Sequence, residues 1–94
     1  MVDSKLLEEL LEWSRKKNAV IEFFFRETSY RLRIDKMFRA VDHTGNIVSW
    51  SKAFGTKKPS DIFTTFTLDK ILLRLEGKEE VLPNVRTLSQ ILRD

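Results

Sequence analysis

The chain is 94 residues long, 41% hydrophobic and 33% charged, with a formal net charge of +3. That size and balance suit a single α+β domain over 1–94, with one core and no room for an elaborate enclosed site. The absence of cysteine excludes disulfides, thiolate metal sites, iron–sulfur clusters and a cysteine nucleophile.

Residues Met1-Val2-Asp3-Ser4-Lys5 lead into leucines interspersed with glutamates, not into the unbroken apolar run of an export signal. The longest apolar stretches, around 23–25 and 71–73, fall far short of the roughly 20 residues that span a bilayer. A soluble, cytoplasmic protein with no membrane partner is the expectation. The charge is unevenly spread: residues 1–18 carry four basic and four acidic groups, residues 19–60 eight and four, and residues 61–94 five and six. The basic excess therefore lies in the middle of the chain, where it suits contact with phosphates.

Leu6, Leu7, Leu10, Leu11 and Trp13 recur at helical spacing, which predicts an amphipathic helix over 4–17 with Asp3 or Ser4 as N-cap and Asn18 as stop. Its late basic residues, Arg15, Lys16 and Lys17, complement the helix dipole. From Ala19 the period changes to two. Ile21, Phe23 and Phe25 alternate with Glu22, Phe24 and Arg26, and after Glu27-Thr28-Ser29 the residues Tyr30, Leu32 and Ile34 alternate with Arg31, Arg33 and Asp35. These two runs predict an antiparallel hairpin. Alternation continues to Val41, but Lys36 breaks its phase, which leaves either a bulge or a tight turn near 35–38. Asp42-His43-Thr44-Gly45-Asn46 is a strong turn signal, followed by a further strand from Ile47 to Trp50.

Residues 51–60 lack periodicity and read as a surface loop, and 62–66 are rich in strand formers. Leu68, Ile71, Leu72 and Leu75 then fall at i, i+3, i+4 and i+7, which predicts a helix capped by Thr67 and stopped by Gly77. Lys78 to Pro83 reads as a charged connection, and Thr87-Leu88-Ser89-Gln90 as the capping box of a short last helix. The expected architecture is an N-terminal helix, an antiparallel sheet of four or five strands, and two C-terminal helices, the second one short, with the helices on one sheet face.

No reaction-specific constellation stands out. The single histidine, His43, falls in a turn with no nucleophile placed opposite it. Glycines at 45, 55 and 77 cannot build a phosphate loop or a dinucleotide turn, and neighbouring glutamates at 8, 9 and 12 and at 79 and 80 belong to solvated surfaces. A non-enzymatic binding or regulatory module without metal or cofactor is therefore expected. The candidate contact face is the second side of the sheet, where Phe24, Arg26, Arg31, Arg33 and Arg39 would combine a ring with cations, extended by Lys52, Lys57 and Lys58 on the loop. Nucleic acid or another anionic ligand is the expected partner. A competing reading pairs these arginines with Glu22, Asp35 and neighbouring acids, with Phe24 covered by an arginine stem. The alternative function is a small protein-binding adaptor or an inhibitor of a larger enzyme, with self-association, using surplus apolar groups such as Leu73, Phe54 and Trp50.

Overall fold

The computed structural model describes residues 2–93; Met1 and Asp94, the ends of the expected domain, lie outside the described residues. Ten elements follow in order: α1 (Ser4–Lys17), β1 (Val20–Phe25), β2 (Arg31–Ile34), β3 (Phe38–Val41), β4 (Ile47–Val48), α2 (Trp50–Phe54), α3 (Pro59–Thr65), β5 (Leu68–Leu75), β6 (Lys78–Leu82) and α4 (Val85–Arg93). The strands form one antiparallel sheet in the order β4-β3-β2-β1-β5-β6. Alternate residues Ile21, Phe23, Phe25, Leu32, Ile34, Ile71 and Leu73 share a core with Leu7, Leu10 and Leu11 of α1, Phe54 of α2, Ile62 of α3 and Leu88 of α4. All four helices thus pack on one side of the sheet. The α+β class and the helix-on-one-face layering match expectation, with six strands in place of four or five.

The N-terminal half follows its sequence signals closely. The Asp3 carboxylate accepts the Leu6 amide at 2.9 Å, and Asn18 ends α1 in the left-handed conformation that asparagine tolerates. Residues 35–37 form a tight turn, not a bulge: Ile34 pairs with Phe38, the Asp35 amide donates to the Met37 carbonyl, and Lys36 is left-handed at φ 64. This turn is fastened to the end of α1. Ser14, fully buried, donates its hydroxyl to Leu11 and accepts the Lys36 amide at 3.2 Å, while the Arg15 Nε donates to the Lys36 carbonyl at 2.9 Å. A polar residue is tolerated in that core because both of its hydrogen-bonding roles are filled.

The second half departs from expectation at several points. The strand expected over 47–50 stops at Val48 and Trp50 opens α2, which with the start of α3 replaces the expected loop at 51–60, and 62–66 is mostly helix instead of strand. Pro59 occupies the first turn of α3, where its missing N–H costs nothing, and Asp61 accepts the Lys58 amide at 3.1 Å. The hydroxyls of Thr64 and Thr65 return to the Asp61 carbonyl at 2.9 Å, so the two β-branched residues sit in the last turn with their polar groups satisfied. Burial decides the outcome, since Phe63 meets the edges of Phe23 and Phe25 at centroid distances of 5.0 and 5.4 Å.

The largest correction is 67–82. The expected helix is strand β5, the charged connection is strand β6, and Leu75 pairs with Lys78 across a two-residue turn. Glu76 and Gly77 both have positive φ, 55 and 77, as a type I′ hairpin turn requires. Spacing of 68, 71, 72 and 75 satisfies a helix, but Ile71 and Leu73 also satisfy a strand facing the core, and pairing beside β1 buries both. The last helix begins at Val85, two residues before the expected cap, because Asn84 and not Thr87 accepts: its side chain takes the Thr87 amide and hydroxyl at 3.0 and 3.1 Å.

A clamp joins the β1–β2 connection to the head of β5. Glu27 accepts both the amide and the hydroxyl of Thr67 at 2.6 Å, and these bonds hold its carboxyl below the ordinary carboxylate range. Because the folded value is depressed, the clamp's contribution is present above the ordinary range and lost as pH falls through the folded value. Thr67→Val is therefore expected to raise the Glu27 titration midpoint, read by carboxyl carbon NMR, and to move acid unfolding to higher pH. The hairpin gives a second expectation. Glu76→Asn, which suits a left-handed turn position, should stabilise the chain by about 0.5–1 kcal/mol in urea unfolding, whereas a helix stopping at Gly77 would lose stability from the same change.

Candidate functional site

The sheet face opposite the helices is built by the other half of each strand. Across it, Glu22 of β1 stands between Arg33 of β2 and Leu72 of β5; Arg33 is followed by Arg39 of β3, and Leu72 by Val81 of β6. In the neighbouring rows Phe24 faces Lys70, Arg31 faces Val41, and Arg74 lies between Val20 and Glu79. Val81, 60% exposed, shows that this face is open at the β6 side.

Its centre is nevertheless closed. Glu22 is 1% exposed, and three guanidinium groups converge on its carboxylate. Arg33 approaches Oε2 through Nε at 3.1 Å and Nη2 at 3.0 Å, Arg31 reaches Oε1 at 3.4 Å, and Arg74 reaches Oε2 at 3.5 Å. A carboxylate offers about four acceptor positions, so these arginines nearly saturate it. Arg31 also donates to the His43 carbonyl at 2.8 Å, and Arg74 pairs with Glu79 at 2.7 Å. The His43 carbonyl is presented by a tight turn, in which Asp42 accepts the Thr44 hydroxyl at 2.6 Å and the amides of Thr44 and Asn46 at 2.9 and 3.0 Å. Those bonds, the Thr44 hydroxyl foremost, hold the Asp42 carboxyl below its ordinary range. His43 itself is an exposed turn residue whose carbonyl, not its imidazole, is engaged.

Phe24 is flanked on both sides. The Arg31 guanidinium lies 4.4 Å from its ring centroid, from β2, and the Lys70 ammonium 4.9 Å, from β5. Both cations gain from the ring's negative faces. The same arrangement occupies the faces on which a base would stack.

The expected site residues are therefore divided. Phe24, Arg31, Arg33 and Arg39 share the open face, while Arg26 follows the end of β1, exposed, with its amide bonded to the Thr67 carbonyl at 3.0 Å. Lys52 in α2 and Lys57 and Lys58 before α3 belong to the helical side: the Lys57 carbonyl accepts the Trp50 indole at 2.8 Å, and Lys58 lines a cleft of about 250 Å³ with Leu7 and Glu8 of α1. They do not extend the arginine face. Lys70, Arg74 and Glu79 also belong to it, though helical spacing over 67–77 and a charged connection over 78–83 point away from a strand pair; the Glu76-Gly77 turn is the sequence signal for it. Leu73, expected as surplus apolar surface, is 3% exposed in the core, as is Phe54.

No helix of the described residues is long and apolar enough to cross a membrane. No family model, curated protein or solved structure was found to match the chain.

Removing one member of a buried ion cluster leaves charges without partners. Glu22→Leu is expected to cost about 3–5 kcal/mol in urea unfolding, since Arg31 and Arg33 are mostly buried beside it. Adding Arg33→Leu should recover part of that loss, and the double-mutant cycle measures the coupling.

Proposed function

We propose that the protein is a non-enzymatic binding module whose open sheet face takes the phosphate backbone of nucleic acid. The observation that carries this reading is the charge of that face: it gathers Arg31, Arg33, Arg39, Arg74 and Lys70, and among the described residues their ion pairs reach only Glu22 and Glu79. A cationic surface of this kind gains free energy from a polyanion by releasing its condensed counterions. Glu22 supports the same reading by fixing three guanidinium groups in place, so less side-chain freedom is lost when a phosphate arrives. Arg74 and Lys70 keep the exposure that contact needs.

Phe24 acts here as a spacer that holds Arg31 and Lys70 apart, not as a stacking platform. Recognition on this basis follows the backbone, with little discrimination among bases. Single strands, which depend on base stacking, gain no particular advantage.

Fluorescence anisotropy with labelled single- and double-stranded DNA and RNA at several salt concentrations tests the reading. Affinity should fall steeply with salt, and an Arg39→Gln/Lys70→Gln variant, which spares the Glu22 ion pairs, should lower the slope of log K against log salt by roughly one to two on duplex DNA. Absence of binding at low salt, or binding that salt leaves unchanged, would sink it.

A further inference from the structure

Beside Arg39, the β3 edge of the sheet carries features that the phosphate reading does not use. Hydrogen bonding along β3 alternates between its neighbours. Arg39 and Val41 oppose Arg33 and Arg31 of β2, in the same ladder phase as the Asp35 amide bond to Met37. Asp42, whose amide donates to the Asn46 carbonyl at 2.9 Å, and Ala40, opposite Val48, face β4. By the same alternation the N–H and C=O of Phe38 point toward β4 as well. But β4 ends at Val48, because Ser49 caps α2 and turns the chain away. The β3–β4 pairing stops at Ala40–Val48, so no residue of β4 pairs with Phe38.

A groove of about 180 Å³ opens at this gap, lined by Met37, Arg39, Ile47, Val48 and Trp50 beside Phe38 and Ala40. Met37 and Ile47 are 48% and 55% exposed, two of the three large hydrophobic residues left exposed among the described residues. Arg39 adds charge. It forms no ion pair among the described residues, it stands opposite another arginine, and its Nε is buried without a hydrogen-bond partner. An unsatisfied buried donor is rare enough in proteins to require a reason. A carboxylate reaching the guanidinium would supply the missing counter-charge and give the side chain cause to reorient.

We propose that this edge docks an extended, acidic segment of a partner protein, which adds to β3 as a short strand at Phe38, sets an aliphatic side chain between Met37 and Ile47, and places a carboxylate on Arg39. Backbone bonds supply affinity and the flanking side chains specificity, as in other strand additions. The opposite edge is unsuited to this role, because β6 presents Lys78, Glu79 and Glu80, charges of the kind that discourage edge pairing.

Selection of a displayed library of random twelve-residue peptides on the full chain, with counter-selection on Arg39→Glu/Ile47→Glu, tests the proposal. Where that variant loses its cooperative melt, Met37→Glu in the same groove replaces it. Peptides alternating aliphatic residues with Asp or Glu should be enriched, and an enriched peptide should slow hydrogen exchange of the Phe38 amide about tenfold or more. No enrichment over the variant, enrichment of basic peptides, or protection at Glu79 and Val81 in place of Phe38 would overturn it. Lys70→Gln, on β5 and three strands from β3, should weaken nucleic-acid binding and leave the selected peptide bound, which separates the two surfaces.

Discussion

Glu22 is the constraint around which the sheet is organised. It sits on the central part of β1, on the face without helices, yet it is as inaccessible as a core leucine. A carboxylate in that position is tolerable only if cations from both flanking strands reach it, and they do: Arg31 and Arg33 from β2, Arg74 from β5. The cluster therefore ties the two halves of the sheet across β1. Register is the quantity it controls most sharply. A slip of β1 by one residue would carry Glu22 into the helical core and bring Phe23, now fully buried, to the open face. Apolar replacement of the whole cluster could match its stability, but apolar side chains would not penalise the slipped pairing in this way.

The same residues explain how much of the architecture was legible. Where a chemical pattern admits one conformation, the expected element forms. Leucines and acids in 4–17 admit only a helix, and alternation in 20–25 and 31–34 admits only strands whose polar sides meet. The run Leu68 to Leu75 satisfied two templates at once. Ile71 and Leu73 face the core and Leu72 the open side, so apolar residues fall on both faces, and the helical spacing is a by-product of a strand with both faces partly covered. Length could not separate them, since eight residues suit a helix as well as a strand. Only the pair Glu76-Gly77 carried directional information, and glycine alone is shared by helix stops and hairpins.

That single misassignment also hid part of the candidate site. Phe24, Arg31, Arg33 and Arg39 were recoverable from period two in the first half of the chain, because local alternation states which side chains share a face. Lys70 and Arg74 reach the same face only through the pairing of β1 with β5, which joins residues some fifty positions apart in the chain. Alternation within a segment cannot reveal its neighbour. Conversely, Lys52, Lys57 and Lys58 looked like an extension of the basic track because they follow it in sequence, whereas α2 and α3 carry them over the sheet edge to the helical layer.

The helical layer in turn shapes the sheet margin. Extending β4 by two more residues, to Trp50, would give Phe38 a partner, a gain of about 0.5–1.5 kcal/mol for a backbone hydrogen bond. Turning into α2 at Ser49 instead brings Phe54 to 3% exposure, packs Trp50 against it with ring centroids 5.0 Å apart, and satisfies the indole N–H on the Lys57 carbonyl. Burying an aromatic side chain contributes about 1.5–3 kcal/mol, more than the ladder bond it displaces. The short β4 is thus the lower free-energy solution for the isolated chain, and the unpaired edge at Phe38 follows from the packing of Phe54 and Trp50, not from any feature of β3 itself.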